Sequence, residues 1–190
     1  MLQILDENHI TYSNDIVKVI TPLGYKGTAE LFSSMGLAME PKELIALMQE
    51  RAVREYAERI PAKKNVIPVL STLKEQGAEL NVLTASPHTM LDPCLKRLGI
   101  FNLFTHIWSC DDFNTTKADP SIYLAAAERL GVSVQDVLFV DDNYNAGKTA
   151  KSAGMQVCGA YDVSSKEYIQ DIKAVADYYV FDFSELLKLP

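Results

Sequence analysis

Asp141 and Asp142 close the run Val137-Leu138-Phe139-Val140-Asp141-Asp142-Asn143. The four apolar residues, three of them β-branched or aromatic, predict a strand buried on both faces. In open α/β sheets the carboxyl ends of strands form the rim where ligands bind. Paired carboxylates on that rim favour a hard divalent cation such as Mg2+, which takes oxygen ligands and keeps several waters. Asp and Asn are also common turn residues, so a solvated strand-end turn stands beside the metal reading. Two other stretches end in chemistry-bearing side chains. In Asn81-Val82-Leu83-Thr84-Ala85-Ser86-Pro87, hydroxyls just past a strand precede free backbone N–H groups, which together can bind a phosphoryl oxygen. A plain Ser/Thr turn before a helix has the same sequence. Lys117, in Thr115-Thr116-Lys117-Ala118-Asp119-Pro120-Ser121, can reach into a cleft as a point charge for phosphate, or lie on the surface as most lysines do.

The elements that must position these residues fall into two halves. Residues 1–60 read as helical. Leu2, Ile4 and Leu5 lie on a helix that stops at Asp6-Glu7-Asn8, and Ile16–Ile20 is broken by Thr21-Pro22-Leu23-Gly24. A short helix over 28–35 is closed by Gly36. Pro41 opens a long one that runs to about Arg59 with apolar residues at helical spacing. From Pro61 helix and strand alternate. Strands are predicted over 80–83, 104–109, 137–140, 156–160 and 178–181, and helices over 66–76, 90–98, 121–130 and 146–153, with a last turn over 183–187. That rhythm predicts a parallel sheet covered on both faces.

Composition narrows the partners. Of 190 residues, 48% are hydrophobic and 23% charged, ordinary for a globular protein. A net charge of −7 excludes a general nucleic-acid surface, which needs a basic stripe. No apolar run approaches the roughly 18 residues of a membrane span. The start carries Asp6 and Glu7 and no basic segment, so no signal peptide is expected. Cys94, Cys110 and Cys158 are odd in number and widely spaced, which fits reduced thiols in a cytoplasm better than disulfides or a zinc site. His9, His88 and His106 are scattered, and Trp108 reads as packing.

Taken together, strand-Thr84, Lys117 with Pro120 three positions later, and strand-Asp141-Asp142 with Gly147 and Gly154 downstream resemble the haloacid dehalogenase superfamily. More closely, the pattern looks like its small phosphatase and phosphomutase branch with a helical cap. The resemblance covers essentially the whole chain. It implies an α/β, Rossmann-like core over 61–190 and a small helical cap, incomplete at its N-terminal side, over 1–60. It also implies that Thr84 and Lys117, with Ser86 facing the same cleft, hold a transferring phosphoryl group. By the same resemblance Asp141 and Asp142 help hold Mg2+, and the substrate is a small phosphorylated metabolite.

The departure concerns the nucleophile. The family's first motif is an apolar strand ending Asp-x-Asp-Gly-Thr, whose first Asp attacks phosphorus and whose second is the general acid/base. Residues 1–190 contain no Asp-x-Asp. Val180-Phe181-Asp182-Phe183-Ser184 echoes it, but this is how family members commonly end. Asp111-Asp112 and Cys110 are weaker substitutes, so no catalytic nucleophile is identified. The resemblance places the motif I strand between the strands ending at Thr84 and Asp141. Without it those two strands present unpaired edges, which leaves a gap, direct pairing, or a strand borrowed through strand exchange or another oligomer. An unstable or oligomeric protein is therefore expected. The leading expectation is a phosphatase whose N-terminal part is absent from the sequence, inactive by itself. A non-catalytic relative that binds phosphate or a partner is the alternative. A phosphorelay receiver, which opens on a similar Val-Asp-Asp strand, fits poorly because the strand here comes late in the chain.

Overall fold

The computed structural model describes residues 1–20 and 23–190, with Lys18 by its backbone alone. The chain divides into two compact units, Met1–Ile60 and Pro61–Pro190. Among the described residues no helix is long and apolar enough to cross a membrane.

The first unit is helical: α1 (Leu2–Glu7), α2 (Ile16–Ile20), α3 (Gly24–Ser34) and α4 (Pro41–Glu58). Pro41 takes the first helical position, where its missing N–H costs nothing. Ile4, Leu5, Phe32, Leu44 and Met48 form the core. Arg51 clamps Glu7 through two hydrogen bonds of 2.9 and 2.6 Å. Helix α3 starts four residues before the position its sequence suggests. Gly24 and Gly27 hide the start because glycine is a poor helix former. Gly27 is nevertheless required, since a Cβ there would stand 2.9 Å from Leu23 Cβ. Of the break expected at 21–24, Thr21 and Pro22 lie outside the described residues.

The second unit alternates α5 (Val66–Glu75), β1 (Asn81–Thr84), α6 (His88–Arg97), β2 (His106–Ser109), α7 (Ser121–Leu130), β3 (Leu138–Asp141), α8 (Tyr144–Ser152), β4 (Gln156–Ala160), α9 (Ile169–Val175) and β5 (Tyr178–Val180). Helix α9 and the 3-10 turn Val163–Tyr168 before it escape the sequence pattern, although Asp162 accepts from Ser164 N as an N-cap. All pairings are parallel: Asn81↔His106 to Thr84↔Ser109, Leu138↔Gln156 to Asp141↔Gly159, and Cys158↔Tyr178 to Ala160↔Val180. Gly159 lets β4 pass under α9 and beside β5, since a Cβ would stand 2.7 Å from Tyr179 Cδ2.

These strands form two sheets, β1–β2 and β3–β4–β5. Strands β1 and β3 each pair on one side. This corrects the expectation that 137–140 is buried on both faces: Leu138 is 39% exposed, whereas Val157 and Cys158 of β4 are fully covered. A strand paired on one edge has only half its backbone and flank covered.

Helices bridge the two sheets. On one face Leu83 of β1 and Phe139 of β3 pack against a cluster built on Ile122 and Tyr123 of α7. On the other, α5 sends Leu70 to the cluster that holds Val82 and sends Val69 and Leu73 to the cluster that holds Val140. Successive strand residues thus alternate between α7 and α5, as the period-two geometry demands.

Candidate functional site

The rim at the carboxyl ends of β1 and β3 is built from local turns. Thr84 ends β1, and its Oγ1 accepts from Ser86 N at 3.1 Å, which folds the chain back toward α6. Pro87 stands at the N-cap of that helix. Ser86 is half-buried on the same loop.

Lys117 lies in the loop before α7. Fully buried Tyr123 holds that loop: its hydroxyl lies 2.9 Å from Lys117 O and 3.1 Å from Ala146 O, so one O–H is shared between two carbonyls. Burial drives the Tyr123 phenol upward, keeping it a donor. From this loop Lys117 Nζ reaches Asp141 Oδ2 at 2.7 Å and lies 5.4 Å from the Phe139 ring. An ammonium has three donors, so two remain after this bond.

Asp141 is committed on both oxygens. Its Oδ1 accepts from Asn143 N at 2.8 Å, and Asn143 in turn caps α8 by accepting from Ala146 N at 3.0 Å. Asp142 points the other way. It lines a cavity of about 360 Å3 with Lys63, Lys64, Val140, Tyr161 and Phe181. Burial pushes the Asp142 carboxyl upward, and the nearby Lys63 charge only partly offsets it. Lys63 itself bonds Asp162, whose carboxyl is held down at about 2 by that bond and by Ser164. Among the described residues no side chain hydrogen-bonds Asp142, and no three His, Cys, Asp or Glu side chains gather as a metal site.

Of the residues singled out in the sequence, the fold thus joins Lys117 to Asp141 directly. Thr84 and Ser86 share one turn on β1, and Asp142 faces a separate wall. The sequence reading missed Tyr123 and Lys63. It also left out the partners of His88, whose Nδ1 lies 2.8 Å from Asp92 and whose Nε2 lies 2.9 Å from Asp112. The His88–Asp92 spacing of four on a helix was a usable signal. Asp112, 24 residues away, gave none.

A sequence profile of haloacid dehalogenase-like hydrolases matches residues 7–154. The chain belongs to this family. Its likeness to the Bacillus subtilis protein YhcW, a candidate phosphatase, is 32% identity over 73% of this chain and 63% of that protein. To pyrophosphatase PpaX of Bacillus velezensis it is 26% over 92% of this chain and 78% of the relative. Among solved structures, a candidate beta-phosphoglucomutase from Thermotoga maritima superposes with a TM-score of 0.82 at 22% identity, covering 98% of this chain and 86% of the other. The chain thus spans less than two thirds of the length of YhcW. The α/β, Rossmann-like fold of the family is the fold seen here.

Proposed function

We propose that residues 1–190 carry the phosphate- and metal-binding half of a Mg2+-dependent phosphatase for small phosphorylated metabolites. Lacking a positioned nucleophile, they turn nothing over by themselves. The observation that carries this reading is the half-buried Lys117–Asp141 pair on the strand rim, beside a half-buried Asp142 to which no side chain among the described residues hydrogen-bonds. Family membership and relatives named as phosphatases support it.

The acid pair fits Mg2+ on chemical grounds. Such ions take one or two protein carboxylates and complete their shell with water and substrate phosphate. Asp142, desolvated and free of side-chain partners among the described residues, would be the first carboxylate to take the ion, and Asp141 would join it by exchanging its bond to Lys117 for the metal. Bound there, the ion would neutralise charge on phosphoryl oxygens. Lys117 would direct its N–H donors at the same group, and the Thr84 hydroxyl and Ser86 would receive it from the β1 side. Phosphoryl transfer depends chiefly on such positioning and charge. In this reading residues 1–60 are the cap that carries substrate choice. The buried, free Cys94, Cys110 and Cys158 support a reducing, cytoplasmic setting.

The test has two parts. Inorganic phosphate followed by 31P NMR should bind in the presence of Mg2+ and lose that binding in Asp142→Ala and Lys117→Met. No binding by the parent chain defeats the site assignment. With p-nitrophenyl phosphate residues 1–190 should show no turnover. Turnover that Asp142→Ala abolishes would sink the claim of inactivity. An in-frame Asp-x-Asp-Gly-Thr directly upstream in the genomic DNA would favour a longer parent phosphatase over a binding protein.

A further inference from the structure

His88 is the first residue of α6, joined to the end of β1 by Ala85, Ser86 and Pro87 alone. Its ring lies between two carboxylates. Nδ1 is 2.8 Å from Asp92 Oδ1 on the same helix, and Nε2 is 2.9 Å from Asp112 Oδ2 in the 3-10 turn Cys110–Phe113 after β2. Parallel pairing sets Thr84 beside Ser109 where β1 and β2 end, so the two chains leave the sheet side by side. The His88–Asp112 bond ties them together again just beyond it. One chain carries Ser86, and the other leads on to Lys117.

The two sides of this bond are not equally braced. The Asp112 oxygen that meets His88 also accepts from Ser109 N at 2.8 Å, within a capping box. Asp112 O accepts from Arg129 Nη2 at 3.0 Å, and that guanidinium lies 3.8 Å from the centre of the Phe113 ring. Tyr123 holds the backbone of Lys117 farther along the same loop. The β1 side has less support. Leu91 and Leu95 anchor the middle of α6 beside Val82 and Ile107. The first turn lies beyond that anchor, and Pro93 lacks the N–H that would bond Thr89 O. The His88 bridge fastens this weakened turn to the frame that carries Lys117.

Only one form of the ring makes both bonds. A neutral imidazole has a single N–H, whereas the imidazolium donates from both nitrogens. With a carboxylate at each nitrogen, the bridge is that of the cation. The neutral ring sets a bare nitrogen against one carboxylate in either tautomer, so the two-bond bridge opens. The charged groups around the ring are Asp92 on α6 and Asp112 in the turn, with Arg129 of α7 behind Asp112. Asp92 first, then Asp112, raise His88 above its ordinary 6.5. Histidine is the side chain that most readily changes charge in this pH range.

We propose that His88 is a positioning residue: protonated, it holds the Thr84–Ser86 arm at the distance from Lys117 that a phosphoryl group needs, and deprotonated, it releases that arm. The proposal rests on the phosphate-site reading above. Thr84, Ser86 and Lys117 supply the contacts to the ligand, and His88, acting through the arm, supplies the spacing between them. Its contribution to phosphate affinity is complete below pH 6.5 and is lost as pH rises through the raised His88 value.

The test compares residues 1–190 with His88→Arg, which stays cationic at every pH used and can still bridge two carboxylates. Inorganic phosphate is titrated into each with Mg2+ at about pH 6 and about pH 9, read by 31P NMR. The ratio of the two dissociation constants cancels the titration of phosphate itself. That ratio should worsen for the parent by about fivefold across the range, the lower end of ordinary coupling between sites. His88→Gln, which is never charged, should bind weakly at both values. Backbone 15N order parameters at Ala85 and Ser86 should fall over the same range in the parent and stay constant in His88→Arg. A ratio that does not change with pH overturns the proposal. So does a changing ratio with an arm that stays equally rigid, because the charge then acts through space and not through position. Phosphate that fails to bind the parent at either pH defeats the phosphate site itself, and this proposal with it. Binding with a flat ratio defeats the clamp alone.

Discussion

Replacing Lys117 by Met should destabilise residues 61–190 more than replacing Asp141 by Asn, and the asymmetry follows from the geometry of the pair. At 2.7 Å and an effective dielectric near 20, the two charges attract by roughly 6 kcal/mol, most of which offsets desolvation. Breaking a fully buried pair by removing one partner costs roughly 3–5 kcal/mol. Here the Lys117 side chain is 23% exposed and that of Asp141 10%. Lys117→Met strands a carboxylate that cannot move, because the strand end and Asn143 N hold it. A cost of about 2 kcal/mol is expected, below the fully buried range. Asp141→Asn keeps the acceptor for Asn143 N and leaves a lysine free to swing toward water, at about 1 kcal/mol. The double variant should cost no more than Lys117→Met alone, a coupling of about 1 kcal/mol. Trp108, the sole tryptophan, lies on β2 and reports this unit by fluorescence. With a urea slope of about 2 kcal/mol per molar, the Lys117→Met midpoint should fall by about 1 M. Equal losses for the two single variants, or additive losses in the double variant, would refute the reasoning.

Other expectations follow from single contacts. His88 is raised above its ordinary 6.5 by Asp92 first and then Asp112, and the His88 bond lowers Asp112 below 3.8. The histidine contribution is complete below pH 6.5 and fades as pH rises through the raised value. The Asp112 contribution is complete above pH 3.8 and fades on acidification through the lowered value, so the clamp is strongest between these limits. In His88→Gln the Tm should lose the fall above pH 6.5 that the parent shows, and an NMR titration of His88 with a midpoint below 6.5 would contradict this. Gly159→Ala drives a methyl against Ile172 and Tyr179 and should cost roughly 1–3 kcal/mol in a urea melt; a neutral result would mean that β4 and α9 yield easily. Tyr123→Phe removes the hydroxyl shared by Lys117 O and Ala146 O. A loss of roughly 1–2 kcal/mol is expected, together with weaker phosphate binding as the Lys117 loop loosens. Unaltered stability and binding would remove Tyr123 from the site.

Periodicity was enough to place β4 over 156–160 and α7 over 121–130, because covered strands and amphipathic helices write their burial into the order of residues. It misread β3, since an apolar run states what a strand can bury and not whether a neighbour arrives to bury it. It passed over α9, whose short run carries Ile169 and Ile172 as its apolar isoleucines and follows a polar turn.

Local order therefore determined the elements, their parallel arrangement and the presence of Thr84, Lys117, Asp141 and Asp142 at strand ends. Tertiary structure decided which of them meet. Asp141, the last residue of β3, meets Lys117 from the loop before α7, whereas Asp142, one residue past the strand, faces the cavity that Lys63 lines. Neither partner is near in sequence. The open edges of β1 and β3 are likewise a product of long-range pairing: each is set by the strand that does come to it, β2 or β4, and no residue in either strand records which side stays open.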